Sequence, residues 1–317
     1  MGTLATDQTA IPHVESVLRD ELVRADNALG GVAPVLSHLL ASPGLPLVSD
    51  ATLARLRGTL SDIASQVLTV AEDKTSGAPL DTEEVDRFTD HLGADSALLS
   101  HLYAAAMEAE FTTRLEQRAS IDPVLSPLLQ ELIASDDPAV AELAMSAMAA
   151  QSRFVQSQRR MQLSIGELPA ELYHKVIKRS VAYVRERGGT GSPSAVQAMK
   201  RGFDEGKNRV GLFSRLVASM GNGVRAALEL DHAGFALFAS GIGAATRQPR
   251  ELAILSCHER QGARLALALR AAGLDAAAVE QQFRLIDSSE SLPIGLNEIA
   301  PERAQTLLNR SPVRKSG

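Results

Sequence analysis

The sequence predicts an all-α protein, and three observations carry that reading. Tryptophan is absent and aromatic residues make up only 3% of the chain. Apolar positions recur at three- and four-residue steps along most of it. Clusters of Gly, Pro, Ser and Asp punctuate these stretches at helix-length intervals. Sheets draw on β-branched and aromatic residues, whereas a 45% hydrophobic content built mainly from Leu, Ala, Val and Ile suits close-packed helices. The architecture expected is antiparallel helix pairs in an irregular HEAT-like array or a helical bundle. Two subdomains are natural at 317 residues, because single cores stop growing near roughly 250 to 300 residues.

Met1 to Ala10 is polar and acidic, and residues 1–12 read as a disordered start. From Val14 to Leu40 the apolar residues follow a helical period, and Gly30, Gly31 and Pro34 are expected to divide the helix. Ser42 to Pro46 is a loop signal, after which Ser49 or Asp50 caps a second helix carrying Leu53, Leu56, Leu60, Ile63, Val67 and Leu68. Thr75 to Pro79 is the next break. A third helical region opens at Asp81 with acids in its first turn and runs to about Arg118, with Gly93 as the interruption.

Residues 121–160 read as a helix, a tight acidic turn and a second helix. Asp137 is placed to cap, and Pro138 sits at the first helical position, where its missing N–H costs nothing. Another helix starts after Gly166 to Pro169, with Leu172, Val176, Ile177, Val181 and Val184 on its inner face, and ends at Gly188 to Pro193. Further helices are expected near 194–203, through Leu212 to Met220, and over 231–245, 248–272 and 275–285, with Gly273 as a terminator and Asp275 as a cap. The domain reading is a helical domain over 13–187 that holds the pair at 121–160, a Gly-rich hinge at 188–193, a C-terminal helical domain over 194–287, and a weakly ordered tail over 288–317.

Two of these segments together resemble a known group. The turn from Asp136 to Val140 and the run from Phe235 through Glu251 and Gly262 to Asp275 are similar to an uncharacterised, mainly alphaproteobacterial family of HEAT-like proteins, domain of unknown function 2336. The resemblance implies a bacterial, cytoplasmic helical-repeat fold and no catalytic residue.

A net charge of −6 conceals a segregation. Residues 1–152 carry 8 basic and 23 acidic side chains, a net of −15, whereas residues 153–215 carry 13 and 5, a net of +8. Either the two regions attract each other within one fold or between subunits, or the basic stretch meets an acidic protein or a nucleic acid. The start lacks a basic and apolar leader, no apolar run is long enough to span a bilayer, and a single cysteine excludes an internal disulfide framework. The expectation is a cytoplasmic protein without a membrane partner.

No constellation assembles a catalytic set. Cys257, His258 and Glu259 are consecutive, but neighbouring helical residues point about 100° apart, so thiol and imidazole do not pair. The seven histidines offer no helical ligand spacing. The Gly-rich stretches at 188–191, 202–206 and 221–223 follow no strand, as a phosphate cradle requires. The sequence therefore nominates no metal or cofactor. Its leading function is a non-enzymatic scaffold or regulator for a protein partner, with Arg159, Arg160, Lys175, Lys178, Arg179 and Arg185 as the candidate interaction surface. The alternatives are a nucleic-acid-associated regulator using the same basic segment, self-association into a homo-oligomer, and a helical-bundle enzyme with a pocket assembled from distant residues.

Overall fold

A computed structural model describes residues 10–41, 50–72, 80–189, 191–286, 292 and 295–310. The loop signals at 42–46 and 75–79, the cap position Ser49, residues 1–9 and residues 311–317 lie outside them. Every regular element among the described residues is a helix, which makes the fold all-α as expected.

These residues form two compact units that interleave along the chain. One comprises the described residues within 10–31, 110–135 and 217–310, and the other those within 32–109 and 136–216. Residues 188, 189 and 191–193 lie within the second unit. Helix α1 (Ala10–Ala41) runs unbroken through Gly30, Gly31 and Pro34, contrary to expectation. Pro34 withholds one backbone donor, but the apolar stripe continues past it to the buried Leu36, and the unit boundary coincides with the two glycines.

In the second unit, α2 (Asp50–Ala71) buries Leu56, Leu60, Ile63, Val67 and Leu68 and packs on α3 (Thr82–Gly93) and α7 (Ala170–Glu186). Asp81 caps α3 by accepting the Glu83 N–H. The chain breaks after Gly93 before α4 (Ser96–Ala119), as its sequence signals. Helix α6 (Pro138–Arg159) starts at the predicted cap, with Asp137 accepting the Ala139 N–H at 2.9 Å and Pro138 in the first turn. The loop after α6 is stitched to α2: Asp62 accepts the Leu163 N–H at 3.0 Å, and Gln66 accepts that of Ile165 at 2.9 Å. Helix α8 (Pro193–Gly202) then packs on α2, and α9 (Arg209–Ser219) follows.

The partner expected for α6 is short. Helix α5 is only Pro127–Ile133, capped by Ser126, and it belongs to the first unit whereas α6 belongs to the second. Residues 122–125 are instead held in a turn by Asp122, whose carboxylate accepts the Val124 and Leu125 N–H groups at 2.7 Å.

The first unit is organised on α10 (Leu230–Thr246), buried almost all round from Leu237 to Gly243. It packs on a 3₁₀ segment at Gly221–Leu228 and on α5, α11 (Arg250–Ser256) and α12 (Gly262–Ala271). Gly241 lets α10 approach the 3₁₀ segment closely, because a Cβ there would stand 2.9 Å from that of Ala227. The single helix expected over 248–272 is two, broken at Cys257 and His258. Apolar periodicity continues across the break and masks it, while Gln261 turns inward to donate to the Ala25 carbonyl at 2.8 Å. Gly273 ends α12 in the left-handed region, with the Leu274 N–H returning to the Leu269 carbonyl, and Asp275 caps α13 (Ala276–Ile286).

The tail predicted from 288 is a further correction. Pro301–Asn309 forms α14, which buries Ala304, Leu307 and Leu308 and packs on α12. Arg270 secures its approach by donating twice to the Ile299 carbonyl, at 3.1 and 2.7 Å.

Candidate functional site

The basic residues of α7 sort onto two faces. Lys175 and Arg179, one turn apart, both reach Asp95, at 2.8 and 3.1 Å. Asp95 is 3% exposed and also caps α4, accepting the Ala97 and Leu98 N–H groups at 3.1 and 3.3 Å. Burial opposes its charge, but the Lys175 and Arg179 cations and the Leu98 N–H together outweigh that and hold its pKa below the ordinary value. This contribution is therefore present above the unfolded pKa and is lost as pH falls through the lower, folded one. Asp95→Asn, which keeps the cap, is expected to cost roughly 1 kcal/mol at neutral pH, since both cations are partly solvated. Urea midpoints for the variant should approach those of the parent below about pH 4.

The second face carries no such counter-ion among the described residues. Lys178, Val181, Ala182 and Arg185 follow the i, i+3, i+4, i+7 spacing, so they form one stripe along α7. They line a cleft of about 400 Å³ with Pro193, Val196 and Lys200 of α8 and with Ala71 at the end of α2. Val184 and Val196 are buried beneath it, whereas Lys178, Arg185 and Lys200 are exposed. No ion pair among the described residues involves these three cations, which gives the cleft an apolar floor and a positive rim.

Tertiary bonds fix both ends of this arrangement. The Ser192 N–H donates to the Ala71 carbonyl at 3.0 Å and pins the start of α8 to α2. At the other end the Tyr173 hydroxyl donates to the Met199 carbonyl at 2.8 Å, and its ring stacks on Phe203 with centroids 3.9 Å apart. Gly188 and Gly189, expected to be part of a hinge, terminate α7: Gly188 adopts φ 80°, and the Gly189 N–H returns to the Val184 carbonyl. Residues 191–193 then carry the wall of the cleft.

Of the predicted surface, Lys178 and Arg185 thus come together, while Lys175 and Arg179 turn to Asp95. Arg159 ends α6, and Arg160 donates to Gln162 at 3.1 Å. Lys200 completes the rim although the sequence did not single it out. Its i, i+7 relation to Pro193 was visible, but nothing local reveals that α8 folds beside α7.

The other basic residue of note is buried. Arg209 makes a two-pronged contact with Glu108, at 2.6 and 2.8 Å, donates to Gln151 at 3.1 Å and lies 3.7 Å over the Phe154 ring. In the first unit Arg264 pairs with Asp26 in the core, and burial pushes its pKa down to about 10, still charged at neutral pH. Cys257 is also buried, which drives its thiol up to about 12 against a smaller opposing influence from Ser256. That thiol donates to the Ala253 carbonyl, while His258 Nδ1 accepts the Arg260 N–H, so the consecutive thiol and imidazole serve separate local contacts. A second cavity of about 550 Å³ lies in the first unit, with Arg225, Glu229, Asp231 and His232 among its lining residues. His232 meets Glu131 at 3.3 Å. Among the described residues no group of three or more His, Cys, Asp or Glu side chains is placed to hold a metal ion, and no helix is long and apolar enough to cross a membrane.

No family model, curated protein or solved structure matches the chain.

Proposed function

We propose that this protein is a non-enzymatic helical scaffold that recruits a protein partner through the α7–α8 cleft. The observation that carries the reading is the different use of neighbouring cations. Lys175 and Arg179 serve Asp95, whereas Lys178, Arg185 and Lys200 rim an apolar depression with no ion pair among the described residues. Cations rimming a partly exposed apolar strip suit an acidic ligand that also buries hydrocarbon, since protein interfaces combine an apolar centre with a polar rim. The HEAT-like resemblance of Asp136–Val140 and residues 235–275 is compatible with a scaffold built from helices and rests on sequence alone.

The test is native co-purification at low and moderate salt with the parent chain and with a Lys178→Glu, Arg185→Glu, Lys200→Glu variant. The expected result is one or more proteins lost from the variant, each of which binds the parent again when purified. Nucleic acid lost instead, with retention falling steeply as salt rises, would replace this reading with a nucleic-acid-associated regulator. Identical recovery on both chains would remove the cleft from the account.

A further inference from the structure

We infer that the cleft takes an acidic amphipathic helix, one that places two carboxylates about two turns apart on either side of a short apolar patch. The inference rests on the scaffold reading and specifies the chemistry of the partner. On α7 the order along one face is cation, apolar, apolar, cation: Lys178, Val181, Ala182 and Arg185. The two cations leave α7 about 10 Å of helix rise apart, on either side of the apolar pair. An extended ligand carrying several charges fits that spacing, and an α-helix with acids at i and i+7 and aliphatic residues at i+3 and i+4 reproduces it in complementary form. Lys200, across the cleft on α8, supplies a third positive charge flanking the bound helix.

The apolar floor argues against a purely electrostatic ligand. Val181 is half-buried, Ala182 is exposed, and Val184 and Val196 lie buried beneath them, so covering this strip removes hydrocarbon from water. Nucleic acid would use the cations and leave the floor wet. A fatty acid would use the floor and at most one end of the cationic stripe. A helix with acids at both ends of an apolar patch uses all of it. The walls are also held in place before binding, by the Ser192–Ala71 bond and by the Tyr173 contacts with Met199 and Phe203, which limits the ordering cost of docking.

The experiment is fluorescence anisotropy at physiological salt, with the full chain and a labelled alanine-based helical peptide containing Glu-Ala-Ala-Leu-Leu-Ala-Ala-Glu. Saturable binding is expected, weakened at least about tenfold by Glu→Gln or by Leu→Ser in the peptide, and by Lys178→Glu with Arg185→Glu in the protein. Ala182→Arg, which lays a long side chain across the exposed stripe, should abolish binding while leaving the circular dichroism unchanged. Equal binding of poly-glutamate or duplex DNA would overturn the inference, because charge would then suffice. Saturable binding of sodium dodecanoate without peptide binding would overturn it in favour of a small amphiphile. If the peptide fails to bind while co-purifying proteins are still lost on cation reversal, the helix is the wrong occupant and the scaffold stands. If neither responds, both fall.

Discussion

Glu108→Ala is expected to lower the unfolding free energy of the second unit by about 3 to 5 kcal/mol, the largest single-residue loss in this protein. Glu108 and Arg209 are 1% and 4% exposed, and the carboxylate meets the guanidinium through two hydrogen bonds. Removing it strands a cation in the core, left with the Gln151 amide and the Phe154 ring as the guanidinium's neutral contacts. The pair itself is not expected to be worth that amount. Desolvating both groups is costly, so a joint Glu108→Leu, Arg209→Met replacement should recover most of the loss, and a double-mutant cycle separates the two quantities. Tyrosine emission is the natural probe, because the chain has no Trp and its three tyrosines, Tyr103, Tyr173 and Tyr183, all belong to the second unit. A loss below about 1 kcal/mol in Glu108→Ala would mean that water reaches Arg209.

Gly234→Ala should have the second largest effect, in the first unit. Gly234 interrupts α10 with φ 69° and ψ 162°, a region essentially reserved for glycine, where a side chain costs about 1 to 3 kcal/mol. The added Cβ would also stand 2.9 Å from the Ser126 Cβ. Ser126 is buried and caps α5, so displacing it endangers a contact worth about 1 kcal/mol. Roughly 3 kcal/mol in all is expected from urea titrations followed by circular dichroism. Gly30→Ala provides the contrast: that position is helical with nothing within 4 Å of the new methyl group, and it should gain up to about 1 kcal/mol. Equal effects at the two glycines would contradict the backbone argument.

Local chemistry was legible in the sequence where one segment contains all of its own determinants. The helix start near Asp81, the Asp137 and Asp275 caps, the break at Gly93 and the Gly273 terminator each depend on a few consecutive residues and stand where the sequence places them. Features decided by distant contacts were hidden. Pro34 and the paired glycines looked like a helix end, yet α1 continues. The apolar spacing across Cys257 and His258 looked continuous, yet the chain turns there so that Gln261 and Arg264 reach Ala25 and Asp26. Residues 301–309 looked weak because only three of their side chains are buried, and the site that holds them belongs to α12.

The candidate surface shows the same limit. Helical spacing puts Lys175 within one turn of both Lys178 and Arg179, so the sequence groups all of them as one surface. Which of them are engaged depends on Asp95, which lies 80 residues before Lys175 in the chain and is recognisable locally only as a cap. The cleft is likewise a product of α7, α8 and the last turn of α2, three segments joined by no local pattern.

The most direct test of this division of labour compares partner retention, per mole of folded protein, between two variants at one salt concentration. The first carries Lys175→Gln and Arg179→Gln, and the second carries Lys178→Gln, Arg185→Gln and Lys200→Gln. The account predicts that the first keeps its partner although its melting temperature falls, and that the second melts like the parent and loses its partner. Loss of the partner from the first variant with retention by the second would contradict it.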